Sequence, residues 1–344
     1  MEVLRKTVSQ HSPGVFGSRY DKDSRNFVRN FLFGDSDIHY SDRCIESNLL
    51  MDSRTEGWIG IPHGGVGMGA IMELAMMLDN YPATSELLYP LSADFRMGGS
   101  RVLTGDKVHV KVSPGEGGTG GTIMVNQEAA PYVSASIRFR NNELSKKDHF
   151  ITYMPGNFSD LENKLFPLPY YKSCFVCGIE RSHPGLRRRF YLLNTNQPGK
   201  IIVSTAGFDG WDSESFYLFQ RDNIIHPVAF LAFLDEVMGW SGFMLSASGA
   251  VTVRVDYTFY RDVQVRERIV VFGRGEKVRG NAGSRLMFWA SGGVAVVNDN
   301  GSLEPVIAAS GQWLGVPELT SQMKRELIPE DLTRRAFILA GAPI

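Results

Sequence analysis

Two stretches decide the fold: HGGVGMGAIMELAMML, residues 63–78, and HPVAFLAFLDEVMGWSGF, residues 226–243. Each opens on a histidine and continues as an apolar run long enough for three or more helical turns. Gly67 to Ala70, Ile71, Met72, Leu74, Ala75, Met76 and Met77 leave almost no polar face in the first. Phe230, Leu231, Phe233, Leu234 and Met238 do the same in the second. A helix that is hydrophobic all round is buried inside a protein, not laid on its surface. Aligned on the histidines, Met72 matches Asp235 and Glu73 matches Glu236. One copy therefore keeps two glycines after its histidine, and the other keeps an aspartate.

The surroundings of the two runs repeat as well. Upstream of the first lies a strand-like segment, residues 44–51. Downstream come four more, at 91–97, 107–112, 122–127 and 132–140, divided by glycine-rich turns. The second run is preceded by segments at 190–193 and 201–204 and followed by 251–260, 268–272, 286–291 and 306–314. Asp94 and Asp256 recur at nearly the same distance after the two histidines. The alternation in Val108, Val110 and Val112, and in Val251, Val253 and Val255, is that of antiparallel strands with one packed face. The expected class is α+β, an internal duplication in which each repeat wraps a curved antiparallel sheet around one long buried helix. The boundaries read as an irregular N-terminal extension at 1–37, repeat 1 at 38–145, a linker at 146–169, repeat 2 at 170–316 and a tail at 317–344. A short helix is expected in that tail at 329–339.

Composition narrows the partners. The 36 basic and 37 acidic residues leave a net charge of −1, so no global field draws the chain to nucleic acid or an anionic membrane. No run reaches membrane-spanning length without a polar break. The first residues lack the apolar core of a signal peptide. Three cysteines, Cys44, Cys174 and Cys177, do not make a secreted disulfide framework. The expectation is a cytoplasmic protein.

The second run, His226 to Trp240, resembles the central helix of the hotdog-fold acyl-CoA thioesterases of the phenylacetate and hydroxybenzoyl-CoA type, where His-Gly-Gly precedes an acid by a fixed spacing. It departs at Pro227 and Val228, which stand where the family has glycine. The first run keeps Gly64 and Gly65 but has Met72 in place of the acid. Cys174-Phe-Val-Cys177-Gly178 followed by Pro184-Gly-Leu186 is similar to the lead-in of many members. The resemblance spans roughly 38–142 and 170–316 and implies a double hotdog. It implies a composite site between the repeats that hydrolyses a small-molecule acyl thioester, with acyl-CoA as substrate and no cofactor or metal. The helix start at His63, Gly64 and Gly65 would offer amides to the developing oxyanion. Asp235 would act as base on water or as nucleophile. Gln220, six residues before His226, stands where the family often has a water-orienting amide; Gly57 takes that place in repeat 1. The opposite combination, His226 and Pro227 with Met72 or Glu73, is expected to be inactive, because proline has no N–H and methionine no acid–base chemistry. A homodimer of double hotdogs is also compatible with the resemblance.

Other readings of the same residues are simpler. Both histidines could be satisfied polar groups at helix starts, and Glu73 and Glu236, sharing one register, suit a structural hydrogen-bonding role. Cys174 and Cys177 invite a zinc site, but four ligands are wanted and only His183 is near in sequence; a tight turn before a strand is the plainer reading. Arg187, Arg188 and Arg189 could contact a CoA phosphate or simply be solvated. Residues 115–121 form a hairpin, since no Gly-Lys-Ser/Thr and no helix follows. Two rival functions stand beside hydrolysis. One is a hotdog hydratase or dehydratase, whose Asp-x-Asn-Pro-x-His or His-Phe-Pro-x-x-Pro patterns are missing. The other is a non-catalytic binder of acyl-CoA or a lipid-like ligand.

Overall fold

The computed structural model describes residues 27–41, 43–78, 89–115, 118–125, 130–141, 164–193, 200–207, 214–280, 285–327 and 334. Repeat 1 runs β1 (His39–Ser41), β2 (Cys44–Leu50), a small ribbon of β3 (Glu56–Trp58) and β4 (Ile61–Pro62), then the helix Gly64–Leu78. It continues through β5 (Leu91–Met97), β6 (Lys107–Gly115), β7 (Gly118–Val125) and β8 (Val133–Arg138). Repeat 2 runs β9 (Leu165–Pro167), β10 (Tyr191–Leu193), β11 (Lys200–Ala206), a ribbon of β12 (Gln220–Arg221) and β13 (Ile224–Ile225), then the helix Pro227–Ser246. It finishes with β14 (Ala250–Phe259), β15 (Ile269–Arg279), β16 (Met287–Val297) and β17 (Leu303–Gly315). A helix at Phe27–Phe33 precedes both repeats and one at Pro317–Gln322 follows them. In chain order the helices are α1 (Phe27–Phe33), α2 (Gly64–Leu78), α3 (Pro227–Ser246) and α4 (Pro317–Gln322).

One continuous sheet of 13 strands holds the order β1-β2-β6-β7-β8-β5-β14-β17-β16-β15-β11-β10-β9. The order β2-β6-β7-β8-β5 is mirrored by β11-β15-β16-β17-β14, so a pseudo-twofold axis passes between β5 and β14. Those strands pair antiparallel with Asp94 opposite Asp256, the two aspartates that the sequence places at matching positions. The sheet curls around α2 and α3, and both helices are buried along nearly their whole length. This is the α+β double hotdog expected from the repeat. The helix α3 is long and apolar enough to cross a membrane by length and composition, yet 83% of it is buried within the fold. That explains its composition as a core helix wrapped by sheet.

The helices cross antiparallel at their small residues. A Cβ on Gly65 would lie 2.2 Å from Ala232 Cα, and one on Gly69 would lie 2.8 Å from Val228 Cγ1. Gly65 is the counterpart of Val228, and Gly69 of Ala232, so the two contacts exchange under the pseudo-twofold. The glycines let two backbones approach where any side chain would force them apart. In the sheet, Gly273 plays the same part against α3, where a Cβ would meet the Val237 carbonyl oxygen at 2.7 Å.

Two boundaries differ from the sequence reading. The N-terminal extension is not wholly irregular. In α1, Phe27 and Phe31 are buried and their rings lie 5.2 Å from that of Phe219, with Phe31 also 5.5 Å from Phe175. An isolated seven-residue helix is marginal in water, so these aromatic contacts hold it. The end of the linker forms β9, which pairs with β10; residues 146–163 lie outside the described residues. The lead-in of repeat 2 packs on repeat 1, with Phe175 N–H donating to the Glu56 carbonyl and Arg181 Nη2 to the Arg54 carbonyl. The tail helix expected at 329–339 falls outside the described residues except at position 334; the described tail holds α4 and one further turn to Leu327.

Because a Gly65 side chain would collide with backbone, Gly65→Ala is expected to cost about 1–3 kcal/mol or more, outweighing the roughly 1 kcal/mol gained in helix propensity. Gly69→Ala, meeting the Val228 side chain and not backbone, should cost less. Urea denaturation of the two variants tests the order.

Candidate active site at the crossing of the two helices

Each histidine ends a short ribbon and caps the helix that follows. His226 has extended backbone, and its Nδ1 accepts from Val228 N–H at 3.3 Å. His63 does the same for Gly65 N–H at 3.0 Å. An imidazole nitrogen thus satisfies one of the amides left without a partner at a helix start. The other ring nitrogen crosses to the opposite helix. His63 Nε2 meets Glu236 Oε2 at 3.2 Å, and His226 Nε2 meets Glu73 Oε2 at 3.0 Å. The shared register of the two glutamates is therefore structural, as its symmetry suggested: each clamps the start of the other repeat's helix.

The charges around the two clamps differ. Glu73 is fully buried and also receives Arg221 Nη2 at 2.8 Å and Arg29 Nε at 3.3 Å. Burial opposes its ionisation, but the bond and charge of His226 and the two arginines hold its pKa down to about 2. Burial lowers the His226 pKa, and its accepting Nδ1 fits a neutral ring; the two arginines are then the lasting positive charge on Glu73. Around Glu236 there is no arginine among its hydrogen-bond partners in the described residues. Its Oε1 receives Trp240 Nε1 at 3.1 Å and Cys174 Sγ at 3.7 Å. Burial would lower the His63 pKa, but the bond and charge of Glu236 and the charge of Asp235 raise it to about 9. A second proton on this ring would have to displace the Gly65 amide from Nδ1 and turn toward Asp235 Oδ2, 3.8 Å away.

The acid expected from repeat 2 meets the helix start of repeat 1. A Cβ on Gly64 would lie 3.2 Å from Asp235 Oδ2 and 3.4 Å from Met97 Cε. The other oxygen, Oδ1, accepts from Thr252 Oγ1 at 2.8 Å. Burial raises the Asp235 pKa, against the His63 charge and the Thr252 bond. Tyr132, on the loop entering β8, has its pKa pushed up to about 12 by burial and by the Asp235 charge.

The two glycines are not equivalent. Gly65 is buried, and its amide is committed to His63; Val66 N–H bonds the His63 carbonyl. Gly64 is partly exposed, and its N–H has no partner among the described residues. The expectation that both amides are open to a ligand is therefore corrected: one is available, and it is the one beside Asp235. Its counterpart at the other helix start is Pro227, which carries no N–H. The counterpart of Asp235 is Met72, fully buried.

Other residues fall elsewhere. Gln220 belongs to the ribbon leading into His226, where its Oε1 accepts from Asn223 N–H at 3.1 Å. It serves the opposite helix start, not the one facing Asp235. Arg188 is 1% exposed, with its guanidinium 4.9 Å from the Phe216 ring and bonded to the carbonyls of Leu186 and Thr205; it is committed inside the fold and not free for a phosphate. Arg187 donates to the Arg181 carbonyl, and Arg189 is exposed. Residues 187–190 are not strand. Thr252 and Tyr132 were not singled out from sequence. Thr252 reaches Asp235 because β14 folds back along α3, a placement that leaves no local pattern.

No family model matches the chain, and no curated protein does. Solved structures do. A candidate thioesterase from Novosphingobium aromaticivorans DSM 12444 superposes with a TM-score of 0.53 at 8% identity, covering 81% of this chain and 98% of that one. The acyl-CoA thioesterase II TesB2 from Mycobacterium marinum gives 0.50 at 13% identity, covering 84% and 98%.

The Glu73 clamp has a pH signature. A carboxylate held down in the folded state contributes stability above its unfolded pKa of about 4.5 and loses it as pH falls toward 2. The contribution is on the order of 3 kcal/mol. Denaturant midpoints measured between pH 5 and 2 should fall more steeply for the wild type than for Glu73→Gln. At these identities the superpositions speak to architecture, and the chain has the double-hotdog fold of TesB-type acyl-CoA thioesterases.

Proposed function

We propose that the chain hydrolyses an acyl-CoA-type thioester at one composite site, built from the start of α2 and from Asp235 of α3. The observation that carries this reading is the approach of Asp235 Oδ2 to Gly64, whose amide has no partner among the described residues, with both groups lost together at the symmetry-related position. A thioester carbonyl set at Gly64 would place its oxygen at the positive end of a buried helix, where the free N–H stabilises negative charge as it develops. Asp235 takes a proton from water as the water oxygen attacks the carbonyl carbon. The tetrahedral intermediate then collapses, the C–S bond breaks, and the leaving thiolate recovers the proton from Asp235. Thr252 fixes the carboxylate through Oδ1 and leaves Oδ2 toward the substrate. The raised Asp235 pKa makes it a stronger base than an exposed aspartate. His63 is a positioning residue: it fixes the helix start that faces Asp235.

Asp235→Asn is expected to lower acyl-CoA turnover by about 10²–10⁴-fold with an unchanged circular dichroism spectrum and melting temperature. Turnover by the variant at the wild-type rate across a panel of aliphatic and aryl acyl-CoAs would reject the assignment. Binding of those thioesters without turnover by the wild type would favour a ligand-binding role instead.

Gly64→Pro makes the working helix start resemble the other one. Proline is tolerated at the first helical position, so the variant should fold, but it removes the oxyanion donor. A fall of about 10²–10³ in kcat is expected, read in the same assay.

A further inference from the structure

The two clamps differ in one respect that the proposed hydrolysis does not use. Glu73 is met by two arginines in addition to its histidine; Glu236 is met by sulfur. Cys174 Sγ lies 3.7 Å from Glu236 Oε1, and His63 Nε2 lies 3.2 Å from Glu236 Oε2. One ligand atom from each of His63, Cys174 and Glu236 falls within 4.8 Å of the others. Cys177 is buried in the same turn, outside that group of three, and its thiol is acted on by Cys174 and Glu236. Ligand atoms about 2.0–2.3 Å from a tetrahedral metal are about 3.3–3.8 Å from each other. The 3.2 Å and 3.7 Å contacts, made to the two different Glu236 oxygens, are close to that range, and the trio as a whole lies within 4.8 Å.

The turn that carries the cysteines is shaped around a sulfur. Val176 N–H and Cys177 N–H both donate to Cys174 Sγ, at 3.3 and 3.2 Å. Gly178 closes the turn with a bond to the Cys174 carbonyl, and a Cβ there would lie 2.4 Å from that oxygen. Two amides aimed at one sulfur are the surroundings that a metal-bound sulfur takes up. Arg181 is also close to both sulfurs. It is buried, it bonds only backbone carbonyls among the described residues, and its Nη1 has no hydrogen-bond partner there. A buried guanidinium with no hydrogen-bonded carboxylate among the described residues favours negative charge nearby beyond that of Glu56.

We propose that Cys174, Cys177, His63 and Glu236 bind one Zn²⁺ ion, which does for the Glu236 clamp what Arg221 and Arg29 do for the Glu73 clamp. Two thiolates, a carboxylate and a neutral imidazole around a divalent cation leave one negative charge, which Arg181 offsets. The mixed sulfur, nitrogen and oxygen set suits zinc. Four protein ligands close the coordination sphere, so the ion is structural and takes no part in hydrolysis. Binding at Nε2 leaves the ring proton on Nδ1, directed at Asp235 in place of accepting from Gly65. The ligands come from the start of α2, the middle of α3 and the lead-in of repeat 2, so the ion ties both repeats together at the catalytic corner. The sequence reading set zinc aside because only His183 is near the cysteines along the chain; His183 instead contacts Ser53.

The full chain, reduced and freed of metal, is titrated with Zn²⁺ and, separately, with Co²⁺. One zinc per chain should survive gel filtration, measured by mass spectrometry of the metal. Cobalt should give a thiolate-to-metal charge-transfer band with the strong visible bands of a tetrahedral site. Cys174→Ser and Cys177→Ser should each abolish the stoichiometric zinc and weaken the charge-transfer band. Absence of any cobalt–thiolate band in the reduced wild type would overturn the proposal, as would zinc retained at one per chain in the folded double serine variant. If the serine variants fail to fold, the cobalt spectrum of the wild type decides alone. None of these readouts depends on thioester turnover, so the zinc site and the hydrolase assignment can fail separately.

Discussion

The fold depends on the antiparallel crossing of two buried helices, each notched by small residues and each capped by a histidine that reaches the other helix's glutamate. Close approach at Gly65 and Gly69 brings the helix starts within side-chain reach of the opposite helix. The His63–Glu236 and His226–Glu73 bonds then fix rotation and register. Apolar packing alone would permit sliding by a turn, because the helices are greasy on every side. A buried carboxylate that lost its imidazole partner would be costly, which disfavours any other register. The continuous sheet completes the enclosure and leaves the crossing as the molecular centre.

From this symmetric frame the halves diverge in charge and chemistry. One helix start keeps an open amide at Gly64 and faces an aspartate. Its counterpart has proline and methionine at the matching positions. The loss is paired, as expected if an amide and an acid are useful only together. The retained pair spans both repeats, so neither half could form the site by folding alone. The α1 helix reinforces this dependence: its phenylalanines touch Phe175 and Phe219, which belong to the approaches to different helix starts.

Much of the architecture was legible before any coordinates. Apolar runs with no polar face announce buried helices, and alternation announces half-buried strands, because both are consequences of local period. The match of Met72 to Asp235 and of Glu73 to Glu236 came from alignment of the repeats, and it correctly separated a structural acid from the odd one. What went unread shares a cause. That the His63 ring occupies the Gly65 amide depends on a rotamer. Gln220 stands where the resemblance expects a water-orienting amide, but an alignment position does not say which of two sites a side chain faces. Arg188 looked like part of a basic surface cluster, yet its guanidinium finds carbonyls and an aromatic face in the interior.

The sequence by itself determined the duplication, the identity of the two core helices, and the residue types at their starts, since these follow from periodicity and from comparing the chain with itself. Only the tertiary structure decided which amide remains free, which hydroxyl holds Asp235, and that His63 and Glu236 stand beside Cys174 and Cys177. Those relations join residues far apart along the chain. They are set by how closely two backbones can approach, a quantity that no local pattern records.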